Sequence, residues 1–193
     1  DPMLVLGTTN QGKLRELVEL LEPHGIGCAS LAGLAAAVDV DETGATFAEN
    51  AALKATTQAV ALDRWVLAED SGLVVPALDG APGVLSARFS GPAAGVDRET
   101  VDGRNNALLL ERLAGRSGRD RGAYFACHAA LAAPDGRVVA VASGTCCGLI
   151  ADAPAGCGGF GSAAISRRAI RGWRSRRSPG SSSSTAAAEK GEG

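Results

Sequence analysis

Aromatic side chains are scarce in this chain: four Phe, two Trp and one Tyr among 193 residues. Leu, Val and Ala must therefore fill any core, and an apolar content of 46% is sufficient for one. A dominant charge is also lacking. The formal net charge of −2 gives no electrostatic case for specific nucleic-acid binding. No apolar run reaches the ~20 residues of a membrane-spanning helix, and no secretory leader pattern is seen, so no membrane partner is expected. The five cysteines, Cys28, Cys127, Cys146, Cys147 and Cys157, include no Cys-x-x-Cys pair and are odd in number. That argues against a full disulfide framework and predicts a reduced, cytoplasmic setting. The Gly-x-x-x-x-Gly-Lys phosphate loop is missing. Ser71 has no well-placed histidine, since His24 sits at a helix end and His128 in a strand pattern, so a nucleophile triad is excluded.

What is present reads as one domain, or one domain with two lobes. A short apolar strand over residues 3–7 runs into a polar turn. Asn10 then opens a helix carried by Leu14, Leu17, Val18 and Leu21 and ended by residues 23–25. Residues 26–34 are weakly patterned, and residues 38–44 form an acidic loop. A second helix is expected over residues 46–62, with Thr46 and Glu49 as a capping box and an alanine-rich face. Buried strands are expected at 65–68 and 73–75, a rigid turn at 80–83 and a third helix at 102–113. A hairpin over 122–133 and 137–143 turns at residues 134–136, and 146–150 prolongs it. Strands alternating with helices in this way predict an α/β fold.

Two segments carry chemistry. A strand that runs into a helix presents backbone N–H groups to an anion. Around that turn lie Thr8, Thr9, Asn10, Gln11, Gly12 and Lys13. Hydroxyl and amide donors plus one ammonium make this a candidate triphosphate cradle. The alternative is an ordinary turn with a capping Asn and a surface Lys. In the second segment, an apolar run ends in Glu69 and Asp70, followed by Ser71. Adjacent acids at a strand end suit Mg²⁺, which uses one or two carboxylates, waters and substrate phosphates. One of them could instead take a proton from an attacking water. The alternative is a solvated turn. Asp39, Asp41, Glu42 and Glu49 form a further acidic set, from which Asp41 or Glu42 could reach the metal. Lys54 lies five residues beyond Glu49 and is expected to flank that helix end without closely sharing its face.

These segments, in this order, resemble the inosine/xanthosine triphosphate pyrophosphatases, the Ham1-like house-cleaning enzymes. The matching stretches are TTNQGKLREL, ETGATFAENAALKA, AEDSGLVVPALDGAPGVLSARFSG, NNALLLERL, AYFACHAAL and GTCCGLIADAPAGCGGFG. They cover residues 3–161. The resemblance implies a two-lobed α/β fold with a long central mixed sheet flanked by helices, a cleft between the lobes, and a homodimer. It implies Mg²⁺-dependent hydrolysis of non-canonical purine nucleoside triphosphates (ITP, dITP, XTP) to the monophosphate and pyrophosphate. Carried onto this sequence, Asp70 becomes proton acceptor and metal ligand, with Asp41 or Glu42 assisting the metal. Lys13 acts on the phosphates. Residues 8–13, Ser71, Phe160 and Gly161 become substrate contacts.

The family commonly has two aspartates before the serine; here the first is Glu69. After Gly161 the pattern stops. Ser162, Ala163 and Ala164 stand where the family continues with Tyr-Asp-Pro, and no later His-Arg pair follows. Residues 162–193 carry a net charge of +5, against −7 for residues 1–161. The sequence thus divides into a pyrophosphatase-like domain, 1–161, and an aberrant basic, Ser-rich tail, 162–193, which is expected to be largely unstructured. Base-reading donors of the family are missing from that tail, which implies weaker purine discrimination. The alternative reading is an impaired or non-catalytic dimeric member of the same fold.

Overall fold

The computed structural model describes residues 3–92 and 94–153, and the backbone of residues 165–166. Strand β1 (Leu4–Leu6) leads into helix α1 (Gln11–Leu21), capped by Asn10 as the sequence indicates. Strand β2 (Cys28–Ser30) follows, in the segment whose pattern gave no element. Helix α2 (Phe47–Leu62) carries the expected capping box: Thr46 Oγ1 accepts from Glu49 N, and the Glu49 carboxylate accepts from Thr46 N. Strands β3 (Val66–Val74), β4 (Gly122–Ala132) and β5 (Val138–Ile150) form the middle of the sheet. Helix α3 (Arg98–Arg112) starts a turn earlier than residue 102, because Asp97 caps it through Thr100 N at 2.9 Å.

The sheet order is β2-β1-β3-β4-β5-β6, where β6 is Ile165–Ser166. β2, β1 and β3 are parallel; β3 to β6 are antiparallel. This is the mixed sheet of the expectation. It also reaches Ile165 and Ser166, inside the segment that composition sets apart.

Side chains alternate across β3, so its two faces meet different helices. Val66 and Ala68 pack on Ala51, Ala55 and Ala59, one stripe of α2 at i, i+4 spacing. Alanines there let helix and sheet approach closely, in a core with few aromatics. Leu73 packs on the other face with Leu109 and Leu113. These two apolar clusters, at opposite ends of the long strands, are the cores of the two lobes.

The sequence reading of two short strands at 65–68 and 73–75 is corrected here. β3 is one strand of nine residues, in register with β4 from Val66↔Ala132 to Val74↔Tyr124. Glu69 and Asp70 therefore sit inside a strand, not at its end. β1 covers only Val66 and Leu67 on the other side. Beyond them that edge of β3 loses its ladder partner, and a cleft opens there between the lobes.

Arg121 ties the second lobe together. It is 8% exposed, and its guanidinium donates to the carbonyls of Ile150 (2.8 Å), Leu113 (3.1 Å) and Ala151 (2.6 Å). The end of α3 and the end of β5 thus share one donor fork. Arg121→Met would strand those carbonyls and is expected to lower stability by about 2–4 kcal/mol. Arg121→Lys should recover little, because an ammonium lacks the planar fork. Urea denaturation checks this. Midpoints within error of the parent for both variants would refute it.

Candidate active site

The cleft encloses about 1100 Å³ and is lined by residues of both lobes. Residues 8–13, Glu42, Asp70 and Ser71 all line it, so the two chemistry-bearing segments face one space. Asp41 does not line it; it is exposed beside Glu42. Of the two acids left open by the sequence, the structure brings Glu42 to the site and not Asp41. Phe160 and Gly161 lie outside the described residues.

The turn after β1 is ordered by its own side chains. Asn10 Oδ1 accepts from Gly12 N at 2.9 Å and Lys13 N at 3.4 Å, and Thr8 Oγ1 accepts from Asn10 N at 3.2 Å. Thr9, Gln11 and Gly12 also line the cleft. An entering anion would exchange with these local bonds.

Glu69 and Asp70 have opposite surroundings, because neighbours on a strand face opposite ways. Glu69 meets Lys13: Oε1 lies 2.6 Å from Nζ. The Lys13 ammonium is thus the close partner of this buried oxygen. Cys127 Sγ donates to Glu69 Oε2 at 3.6 Å. Burial first, then the nearby Glu69 carboxylate, pushes the Cys127 thiol up to about 11. Both effects disfavour the thiolate.

Asp70, 7% exposed, faces α2. Its Oδ2 accepts from Asn50 Nδ2 at 3.2 Å, and its Oδ1 accepts from Ser71 N at 3.1 Å and Lys54 Nζ at 3.4 Å. The same ammonium donates to Glu42 Oε1 at 3.1 Å. Lys54 thus does more than flank the helix end: it bridges the acidic loop and β3. His128, opposite Asp70 in the β3–β4 register, stacks on Phe47 with centroids 6.3 Å apart. That is the structural role its pattern suggests.

The acidic loop is pinned at both ends. Gln58 exchanges two hydrogen bonds with the backbone of Val38. Asn50 Oδ1 accepts from Gly44 N at 2.7 Å. Asn50, Lys54 and Gln58 recur every four residues, so they form one polar stripe on α2 beside its alanine stripe. Sequence reasoning missed Asn50 and Lys54 as site residues. The signal that finds them is this polar stripe next to a buried apolar one.

A cleft with a helix start and an ammonium group on one side, a second ammonium group on α2, and buried carboxylates between them, at the open edge of a mixed sheet, defines an α/β protein built to handle phosphate esters. More particularly, residues 4–164 match the sequence model of the Ham1 family, and the chain belongs to that family. It is 50% identical over 158 residues to a dITP/XTP pyrophosphatase of Exiguobacterium sp. (strain ATCC BAA-1283 / AT1b), covering 82% of this chain and 76% of that one. A dITP/XTP pyrophosphatase of Rhodopirellula baltica is 49% identical over 158 residues, covering 82% and 73%. Among solved structures, a HAM1 protein from Coxiella burnetii superposes with a TM-score of 0.73 at 35% identity, covering 86% of this chain and 81% of its own. The Staphylococcus aureus Ham1 protein gives 0.70 at 37% identity, covering 84% and 79%.

Proposed function

We propose that this chain is a nucleoside-triphosphate pyrophosphatase that hydrolyses non-canonical purine nucleoside triphosphates to the monophosphate and pyrophosphate. The observation that carries this is the meeting of residues 8–13 with Asp70 and Glu42 across one cleft, in a chain half identical to dITP/XTP pyrophosphatases. Lys13 and the start of α1 hold the phosphates, with Thr8, Thr9, Asn10, Gln11 and Gly12 around them and Ser71 beside them. Asp70 accepts the proton of the attacking water.

Mg²⁺ suits the residues present. Glu42 and Asp70 already converge on one cation, the ammonium of Lys54. Among the described residues no cluster of three or more ligand-type side chains exists. Mg²⁺ commonly uses one or two carboxylates, waters and the substrate's own phosphates. When bound, Mg²⁺ draws charge from the phosphates. Asp41 is no longer needed as a ligand.

Among the described residues no helix is long and apolar enough to cross a membrane. We place the enzyme in the cytoplasm as a homodimer, with 1–161 as the catalytic unit. Phe160 and Gly161 remain proposed base-side contacts. The altered sequence after Gly161 predicts a low preference for ITP over ATP.

Incubation with ITP, XTP, dITP and ATP in Mg²⁺ tests the reading. Pyrophosphate should appear from ITP, dITP and XTP, with an ITP:ATP ratio below that of a relative with the family's C-terminal sequence. Orthophosphate as the first product, or no release from any of the four, would overturn it.

A further inference from the structure

We propose that Lys54 is the internal cation of the empty cleft, and that a divalent ion reaches Glu42 and Asp70 only with the triphosphate that draws Lys54 away. The inference rests on the pyrophosphatase reading and goes beyond it, to the order in which the cleft is loaded.

The two carboxylates hold one ammonium between them, at 3.1 Å from Glu42 Oε1 and 3.4 Å from Asp70 Oδ1. The Lys54 side chain is only 16% exposed. At such distances, and with little water between, charge interactions are strong. A second cation entering beside Lys54 would meet like charge at contact range. Two carboxylates and one ammonium sum to one negative charge, a poor attraction for a divalent ion that must also shed water.

The acids do not depend on Lys54 for their positions. Gln58 and Asn50 pin the loop that carries Glu42. Asn50 and Ser71 N hold Asp70. Removing the ammonium therefore leaves a preformed pair of oxygen ligands rather than a collapsed one. A triphosphate changes the balance, because its several negative charges can take both cations. Lys54 has a flexible four-carbon stem, and it lines the same cleft as Lys13. It can swing to the phosphates while the metal takes its place between the carboxylates. An empty cleft closed to free metal keeps the acids paired until substrate arrives.

Mn²⁺ titration of the nucleotide-free full chain, followed by electron paramagnetic resonance, tests this. Lys54→Met should bind Mn²⁺ about tenfold or more tightly than the parent. Lys54→Arg should stay weak, and adding Glu42→Gln to Lys54→Met should abolish the gain. Equal affinity for the parent and Lys54→Met, or a gain that survives Glu42→Gln, would overturn the proposal. If Lys54→Met is unstable, Lys54→Gln reads the same linkage as a larger Mn²⁺-dependent rise in Tm than the parent shows; equal rises overturn it. Pyrophosphate release from ITP by the parent protein is measured alongside. A Mn²⁺ gain without release leaves the exchange standing and sinks the pyrophosphatase reading. Release with unchanged Mn²⁺ binding does the reverse.

Discussion

Asp70→Asn is expected to lower pyrophosphate release from ITP by about 10²–10⁴-fold, the range a positioned acid or base contributes, while the protein stays folded. The carboxylate is nearly buried, yet it borders the cleft at the point where β3 has lost β1 as a neighbour. In the empty cleft three donors reach it, Asn50 Nδ2, Ser71 N and Lys54 Nζ, and the first two stay in place when Lys54 moves to the phosphates. A carboxylate offers about four lone-pair sites, so capacity remains for a water. An amide of the same shape cannot take that water's proton.

The substitution also has a local structural cost that can be traced. The introduced amide can keep its oxygen towards Ser71 N and Lys54. Its NH₂ group then faces Asn50 Nδ2, donor against donor. Asn50 cannot flip to offer its oxygen without giving up the 2.7 Å bond from Gly44 N. One mismatched buried pair costs about 1–3 kcal/mol, too little to unfold a domain held by two apolar clusters. Steady-state assays with circular dichroism on the same sample separate the effects. A folded variant within about threefold of the parent rate would remove Asp70 from the chemistry.

Helix α2 was fully legible, because everything that specifies it is local: the Thr46–Glu49 box, the alanines and their spacing. The turn after β1 was legible for the same reason, since Asn10 caps α1 through bonds two and three residues away. β3 was not. Two acids, a serine and a glycine read as a turn by local chemistry. What keeps residues 69–72 extended is β4, about sixty residues later in the chain, pairing Asp70 with His128 and Gly72 with Ala126. Strand β2 was missed because three residues are too few for a period. That Glu42 rather than Asp41 borders the cleft depends on the loop's two anchors, Gln58 and Asn50, which lie on another element. Counting from Glu49 placed Lys54 near the helix end but could not show its partners Glu42 and Asp70, which lie on other segments. Composition, motif order and local capping thus name the class of protein, while side-chain pairings across elements decide which acids border the cleft.

Gly72 shows the same dependence on distant partners, and its replacement should have a large effect on both stability and turnover. A Cβ there would lie 2.4 Å from Ser86 Oγ, 2.8 Å from Gly83 O and 2.9 Å from Phe47 Cε1. None of the three can yield easily. The Ser86 hydroxyl accepts from Leu73 N at 2.9 Å and donates to Gly83 O at 2.6 Å, so turning it away breaks both bonds. Gly83 O is backbone. Phe47 opens α2 and is itself packed against His128. Gly72→Ala would thus push α2 and the 83–88 turn away from β3 together. Overpacking of this kind costs about 3 kcal/mol, a fall in Tm of roughly 6–12 °C for a chain of this size. Two residues from Asp70, the same displacement should also spread the cleft and slow turnover in the protein that remains folded. Ser86→Gly supplies the discriminating arm. It removes the closest clash but leaves Leu73 N without its acceptor, so the double variant should lose less stability than the two single losses combined. Strict additivity by calorimetry would mean that the Ser86 contact is not what excludes a side chain at Gly72.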